Sequence, residues 1–199
     1  MDQTRGSARR SRAATKTLIR PVPVVFDNTF LALLFGPLRT PPRDPRTGKP
    51  VERVQDRIEA LIDELTRSQV RILIPTPALC EFLSIAGRPG ADYLARLDST
   101  SRFKVESFDT AAAVEAARVI AASVRRGDKR SGRKKSTPWQ KVKFDRQIVA
   151  IAQTRGATEI YSDDEDIAAF GVDAGIQVVS VAELPLPPPK QEGLPLENP

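Results

Sequence analysis

An α/β architecture is predicted for this chain: a three-layer α/β/α domain around a central, mainly parallel sheet. Three observations predict it. Short apolar, β-branched runs such as "VPVVF", "VRILIP" and "IQVVSV" read as buried strands. Helix-length segments separate them, and strands alternating with helices imply right-handed crossovers with helices on both faces of the sheet. At 199 residues and 40% hydrophobic, the chain is long enough for one well-buried core. No stretch approaches the roughly 20 apolar residues of a membrane span, so no membrane association is expected. The expected organisation is a disordered basic arm over residues 1–20, a folded domain over 21–183 and a Pro-rich tail over 184–199.

The elements follow in order. "VPVVF" (22–26) is the first strand, and "DNTFLALLFG" an amphipathic helix closed by Gly36. "PLRTPPRDPRTGKP" is a Pro-rich loop. "VERVQDRIEALIDELTRS" places Val51, Val54, Ile58, Leu61, Ile62 and Leu65 at helical spacing with charges opposite. "VRILIP" is the second strand. In "TPALCEFLSIAG", Thr76 is the expected N-cap, Pro77 the first helical residue and Gly87 the stop. A short helix ("ADYLARLDSTS"), a third strand ("FKVESF") and an Ala-rich helix capped by Asp109 come next. A basic insertion over 125–143 precedes the helix "FDRQIVAIAQTRG", the strand "ATEIYS", the helix "DEDIAAFGVDAG" and the closing strand "IQVVSV". The tail is expected to be extended or disordered.

Composition narrows the chemistry. The chain has no His and a single Cys, Cys80. Ser-His-Asp and Cys-His nucleophiles, His-based acid–base catalysis and His or multi-Cys zinc sites are thereby excluded, as is an intramolecular disulfide. A hydrolase built from this alphabet must rely on carboxylates and hard cations. The basic N-terminus lacks the apolar core of a secretory signal, so a cytoplasmic location is expected. The net charge of +6 is segregated: residues 1–20 carry +5 and residues 125–143 carry +8, which leaves −7 for the remainder. An acidic body beside strongly basic segments suits a polyanionic partner that meets both metal-loaded carboxylates and Lys or Arg.

The acids fall at telling places. In parallel sheets ligands bind beyond the carboxyl ends of the strands, near the point where strand order reverses. Asp27 ends the first strand, and Asp163 and Asp164 follow "TEIYS". Asp145 opens a helix and shares a face with Ile148, Val149 and Ala152, where a charge needs a partner. Glu81 is the charged residue of an otherwise apolar helix and is turned away from the stripe of Leu79, Phe82, Leu83 and Ala86. Simpler readings stand beside these. Asp27, Asp145 and the acids of "SDDED" can act as helix caps, and Glu81 can fill a solvent-facing gap. Capping does not explain why four elements each bring an acid to one edge. Such a set, all oxygen and no His, fits Mg²⁺ or Mn²⁺.

The segments "VVFDNTFL", "PTPALCEFL", "KFDRQIVAIAQTRGATEIYSDDEDI" and "GIQVVS", with acids in the order Asp27, Glu81, Asp145, Asp164, resemble the PIN-domain nucleases, and among them the VapC-type toxins of bacterial toxin–antitoxin pairs. The resemblance covers roughly residues 22–182 and is most specific over 143–167. It implies a PIN-like fold and a metal-dependent endoribonuclease. Asp27, Glu81, Asp145 and Asp164 would be catalytic and would hold one or two ions, with Asp163 a neighbour and Asp166 a fifth acid. Asn28, Thr29 and Ser162 would support them. The resemblance also implies an RNA substrate, an antitoxin protein as partner and a homo-oligomer, expected to be a dimer. Arg125, Arg126, Lys129, Arg130, Arg133, Lys134, Lys135, Lys141 and Lys143 would track the RNA backbone. Trp139 either stacks on an unpaired base or anchors the loop in the core.

The arm, the Pro-rich loop, the basic insertion and the tail depart from the compact toxins and suit an RNA-processing relative equally. A catalytically silent RNA- or antitoxin-binding module is the reading from another class. The retained acids oppose it, since a binder of phosphates gains nothing from a negative cleft. "VVFDN" also resembles the nucleophile strand of haloacid-dehalogenase-type phosphatases, but that chemistry needs an acid two residues later, where this chain has Thr29.

Overall fold

The computed structural model describes residues 21–36, 40–127 and 138–188. Five strands, β1 (Val24–Phe26), β2 (Ile72–Pro75), β3 (Phe103–Glu106), β4 (Glu159–Tyr161) and β5 (Gln177–Val179), pair in the order β3-β2-β1-β4-β5, every pair parallel. The helices are α1 (Asn28–Phe35), α2 (Val54–Arg67), α3 (Thr76–Ala86), α4 (Gly90–Asp98), α5 (Thr110–Arg125), α6 (Trp139–Thr154) and α7 (Glu165–Ala174).

Alternation along the strands sorts the core into two layers. Val24, Phe26, Ile72, Ile74 and Tyr161 point to the face covered by α1 and α2, where Phe30, Leu31 and Ile58 meet them. Val25, Leu73 and Ile160 point to the other face, against Ile148 and Val149 of α6 and Ile167 and Phe170 of α7. The expected three-layer α/β/α fold is thus observed. The rings of Phe26, Phe30 and Tyr161 lie 5.4–5.5 Å apart and tie β1, α1 and β4 together. α7 approaches β5 so closely at Gly171 that a Cβ there would sit 2.4 Å from a Val178 methyl.

The chain starts at the centre of the sheet, builds β2 and β3 on one side, then returns to lay β4 and β5 on the other. Strand order therefore reverses between β1 and β4. Phe26 pairs with Tyr161, so the next residues, Asp27 and Ser162, emerge side by side at the carboxyl edge.

Several boundaries differ from the sequence reading, four of them near the site or the tail. α6 begins at Trp139, directly after Pro138, and not at the Phe144–Asp145 step. Nothing in residues 139–143 breaks a helix, and buried Val142 continues the phase of Val149. Asp145 consequently lies well inside α6 and does not cap it. Thr76 is the first residue of α3 and Pro75 its N-cap, with the Thr76 hydroxyl accepting from the Phe108 amide. The closing strand is shorter than expected and runs into a 3-10 turn, Val181–Glu183, capped reciprocally by Ser180 and Glu183. The start of the tail packs on the domain: Leu184 is buried, its carbonyl accepts from Arg57, and the Pro187 carbonyl accepts from Arg53. Residues 1–20 and 189–199 lie outside the described residues.

Candidate metal centre

Asp27 forms the floor of the cleft between β1 and β4. It is the N-cap of α1, and its Oδ1 accepts from the Thr29 amide (2.9 Å), the Thr29 hydroxyl (2.7 Å) and the Phe30 amide (3.2 Å). Its Oδ2 accepts from the Ser162 hydroxyl at 2.6 Å. Ser162 Oγ in turn accepts from the Asp164 amide at 3.0 Å, and Thr29 Oγ1 from the Asp163 amide at 2.9 Å. One fully buried carboxylate therefore shapes the turn after β4. Burial drives its pKa up to about 6, opposed by the hydrogen bonds from Ser162, Thr29 and Phe30 and reinforced by the charge of Asp164.

Above that floor three carboxylates converge. Asp145 of α6, Asp164 at the N-cap of α7 and Asp166 in its first turn place one oxygen each within 4.8 Å of the others. The Lys141 ammonium sits among them, donating to Oδ2 of Asp145 (3.1 Å), Asp164 (2.8 Å) and Asp166 (2.9 Å). Lys141 reaches Asp145 because the two lie four residues apart on α6. Burial raises the Asp145 pKa to about 7; Lys141 opposes the rise, and Asp164 and Asp166 add to it. Burial works against the charge of Lys141, but its hydrogen bonds to Asp164 and Asp166 and the surrounding negative charge win and hold its pKa above the ordinary value. An ammonium held by three oxygens is a stand-in cation, and the all-oxygen donor set suits a hard divalent ion.

The other predicted acids are placed differently. Glu81 is half-buried on α3 and faces the same cleft: burial raises its pKa, the Lys141 charge opposes that and Asp164 reinforces it. Asp163 accepts from the Val181 amide at 2.8 Å and lines a cavity of about 200 Å³ with Asp44, Arg46, Ser180 and Glu183, a cavity that Ser162 and Asp164 also border. Asn28 is the first residue of α1. The equal standing of Asp166 with Asp145 and Asp164, and the role of Lys141 as their partner, do not follow from the sequence reading. The signal available is the four-residue spacing of Lys141 and Asp145, which a helix start placed at Asp145 hides.

A sequence model of the PIN domain matches residues 51–172. The chain belongs to the PIN-domain family. Its fold resembles three solved structures, each at low identity. A DNA-bound VapBC from Salmonella typhimurium is 17% identical, with a TM-score of 0.50, over 81% of this chain and 99% of that one. VapBC2 from Rickettsia felis, bound to a fragment of its promoter, is 12% identical with a TM-score of 0.49, over 79% and 97% of the two chains. The sarcin–ricin-loop-cleaving toxin VapC20 from Mycobacterium tuberculosis is 20% identical with a TM-score of 0.45, over 74% and 95%. No curated protein sequence matches. The first of these likenesses speaks to the fold alone.

The basic residues of this PIN domain divide into two sets. Arg125 ends α5 and Arg126 caps it, both exposed. Lys129, Arg130, Arg133, Lys134 and Lys135 lie outside the described residues. Lys143 is exposed on the first turns of α6, its ammonium 5.7 Å from the centre of the Trp139 ring. Trp139 itself is half-buried and packs against the α6–α7 side of the core, with the Arg146 guanidinium 6.0 Å from its ring. Among the described residues, no helix is long and apolar enough to cross a membrane.

Proposed function

We propose that this PIN domain is an Mg²⁺- or Mn²⁺-dependent endoribonuclease. The observation that supports the reading most strongly is the cradle of Asp145, Asp164 and Asp166, already closed around a cationic group at the reversal point of the sheet. In this reading these three carboxylates hold the ion, Glu81 faces it across the cleft, and Asp27 adds negative charge from the buried floor. A bound divalent ion would supply the acidity that makes water a nucleophile at neutral pH and positive charge for the scissile phosphate.

The chain's own residues set the geometry. Ser162 and Thr29, both bonded to Asp27, fix the amides of Asp164 and Asp163 and so hold the turn that aims Asp164 at the cleft. The Asp164 side chain also accepts from the Asp166 amide at 2.8 Å, which places both acids at the positive end of α7. Lys143 and the other basic residues of the insertion would hold the phosphates that the acids alone would repel.

The purified protein should cleave single-stranded RNA with Mg²⁺ or Mn²⁺ and stop on adding EDTA. Asp145→Asn should lower the rate by about 100-fold or more without unfolding the protein. Cleavage that survives chelation overturns the proposal.

The residue-level resemblance to VapC-type toxins supports a role as the toxin of a pair, with an antitoxin protein as its partner. Expressed alone, the wild type should then arrest growth while Asp145→Asn does not. An active enzyme that leaves growth unchanged would assign it to RNA processing.

A further inference from the structure

We propose that Lys141 is an internal counter-cation: its ammonium occupies the carboxylate cradle in the metal-free protein and must leave for a divalent ion to bind, so that this residue sets the ion concentration at which the site loads. The inference rests on reading the cradle as a metal site. Three features of Lys141 carry it.

The first is shared ligands. An ammonium has three donors, and Lys141 directs them at one oxygen each of Asp145, Asp164 and Asp166. Among the described residues, those are the three whose oxygens cluster closely enough to hold an ion. Mg²⁺ sits about 2.0–2.1 Å from its oxygens. An ion at the centre of the cradle would therefore fall on or against the nitrogen, and the same lone pairs cannot serve both.

The second is an exit. Lys141 is 38% exposed, against 3% for Asp145. Its four-carbon stem is flexible, so withdrawal costs little packing. A different arrangement appears where this protein pins acids for structure. There the planar guanidinium of Arg155 bridges Glu106 (2.7 Å) and Asp109 (2.8 Å), with Lys104 on the other Glu106 oxygen (2.6 Å).

The third is charge. With its three carboxylates ionised the cradle carries −3, and Lys141 returns only +1. A divalent ion neutralises more, so exchange is downhill once the ion is abundant. Until then the ammonium keeps three like charges together at the mouth of a cleft whose floor is a fourth.

The test is a calorimetric titration of Mg²⁺ and of Mn²⁺ into metal-stripped protein without RNA. Lys141→Met, which keeps the side-chain length and removes the charge, should bind the ion about tenfold tighter or more than wild type. It should also gain more thermal stability from added ion, having lost more without it. Lys143→Met, which removes an equal charge two residues away and outside the cradle, should change affinity far less. Lys141→Arg, which keeps a cation in place and guards against a Met variant that folds poorly, should show no tightening. Equal affinity in wild type and Lys141→Met, or an equal gain in the Lys143 variant, overturns the inference alone. Absence of binding heat in every variant overturns the metal site as well.

Discussion

Asp27 accepts four hydrogen bonds and meets no solvent, yet burial still holds its pKa near 6. Asp145 is raised further, to about 7. Both groups bind a proton more tightly in the folded chain than in the unfolded one, where an Asp titrates near 4. Their contribution to stability is therefore complete below about pH 4 and is lost as pH rises through about 6 and 7. Metal-free protein should lose thermal stability across that window, and saturating Mg²⁺ should restore it at pH 7. Asp27→Asn should flatten the slope between pH 4 and 6; a melting series that stays flat in wild type would refute the assignment. The position of Asp27 at a strand end is legible in "VVFDN". That its oxygens are engaged by Ser162 and Thr29 is not, because Ser162 lies 135 residues away and its neighbourhood depends on the pairing of β1 with β4.

At the scale of elements, the site hangs on α6 and α7, the helices that carry its three convergent acids. α7 is seated by the absence of a side chain at Gly171, where an added Cβ would meet a Val178 methyl at 2.4 Å and the Ile176 carbonyl at 3.0 Å. Gly171→Ala should push the helix off β5 and cost about 1–3 kcal/mol, read by chemical denaturation. Because Asp164 and Asp166 ride at its other end, ion affinity should fall as well. Loss of stability with unchanged affinity would mean that the first turn is held by Ser162 and Asp27 alone. β1 and β2 are readable because each is a short apolar run covered on both faces, and the carboxyl ends of β1 and β4 locate Asp27 and Asp164. The start of α6 is not. Its first turns, "WQKVK", read as more of the basic insertion by composition, whereas the backbone is helical from Trp139 and Val142 is buried in phase with Val149. With those turns taken as insertion, Lys141 reads as one phosphate ligand among nine.

Over the whole molecule, charge is divided between an acidic domain and two basic segments, with the insertion at 125–143 carrying +8. Removing part of it should weaken long-range attraction and leave the chemistry alone. In an inactive Asp145→Asn background, Arg133→Ala, Lys134→Ala and Lys135→Ala together should reduce the salt dependence of single-stranded RNA binding by up to about 0.7 in the log–log slope for each phosphate that is no longer neutralised. An unchanged slope would mean that this run touches no RNA.

The sheet order also governs when the cleft comes into being. β1 is the first strand made, but the partner that completes the floor, β4, is among the last, and the bond from Ser162 to Asp27 closes a separation of 135 residues. Pairings that distant form slowly, since the loop entropy is spent before they return anything. A nascent chain that has released Asp27 and Glu81 still lacks Asp145, Asp164 and Asp166, and a chain cut before β4 can never gather them. Cleavage would then be a property acquired in the final step of folding, and a half-made copy would be harmless to the very RNA from which it is being translated.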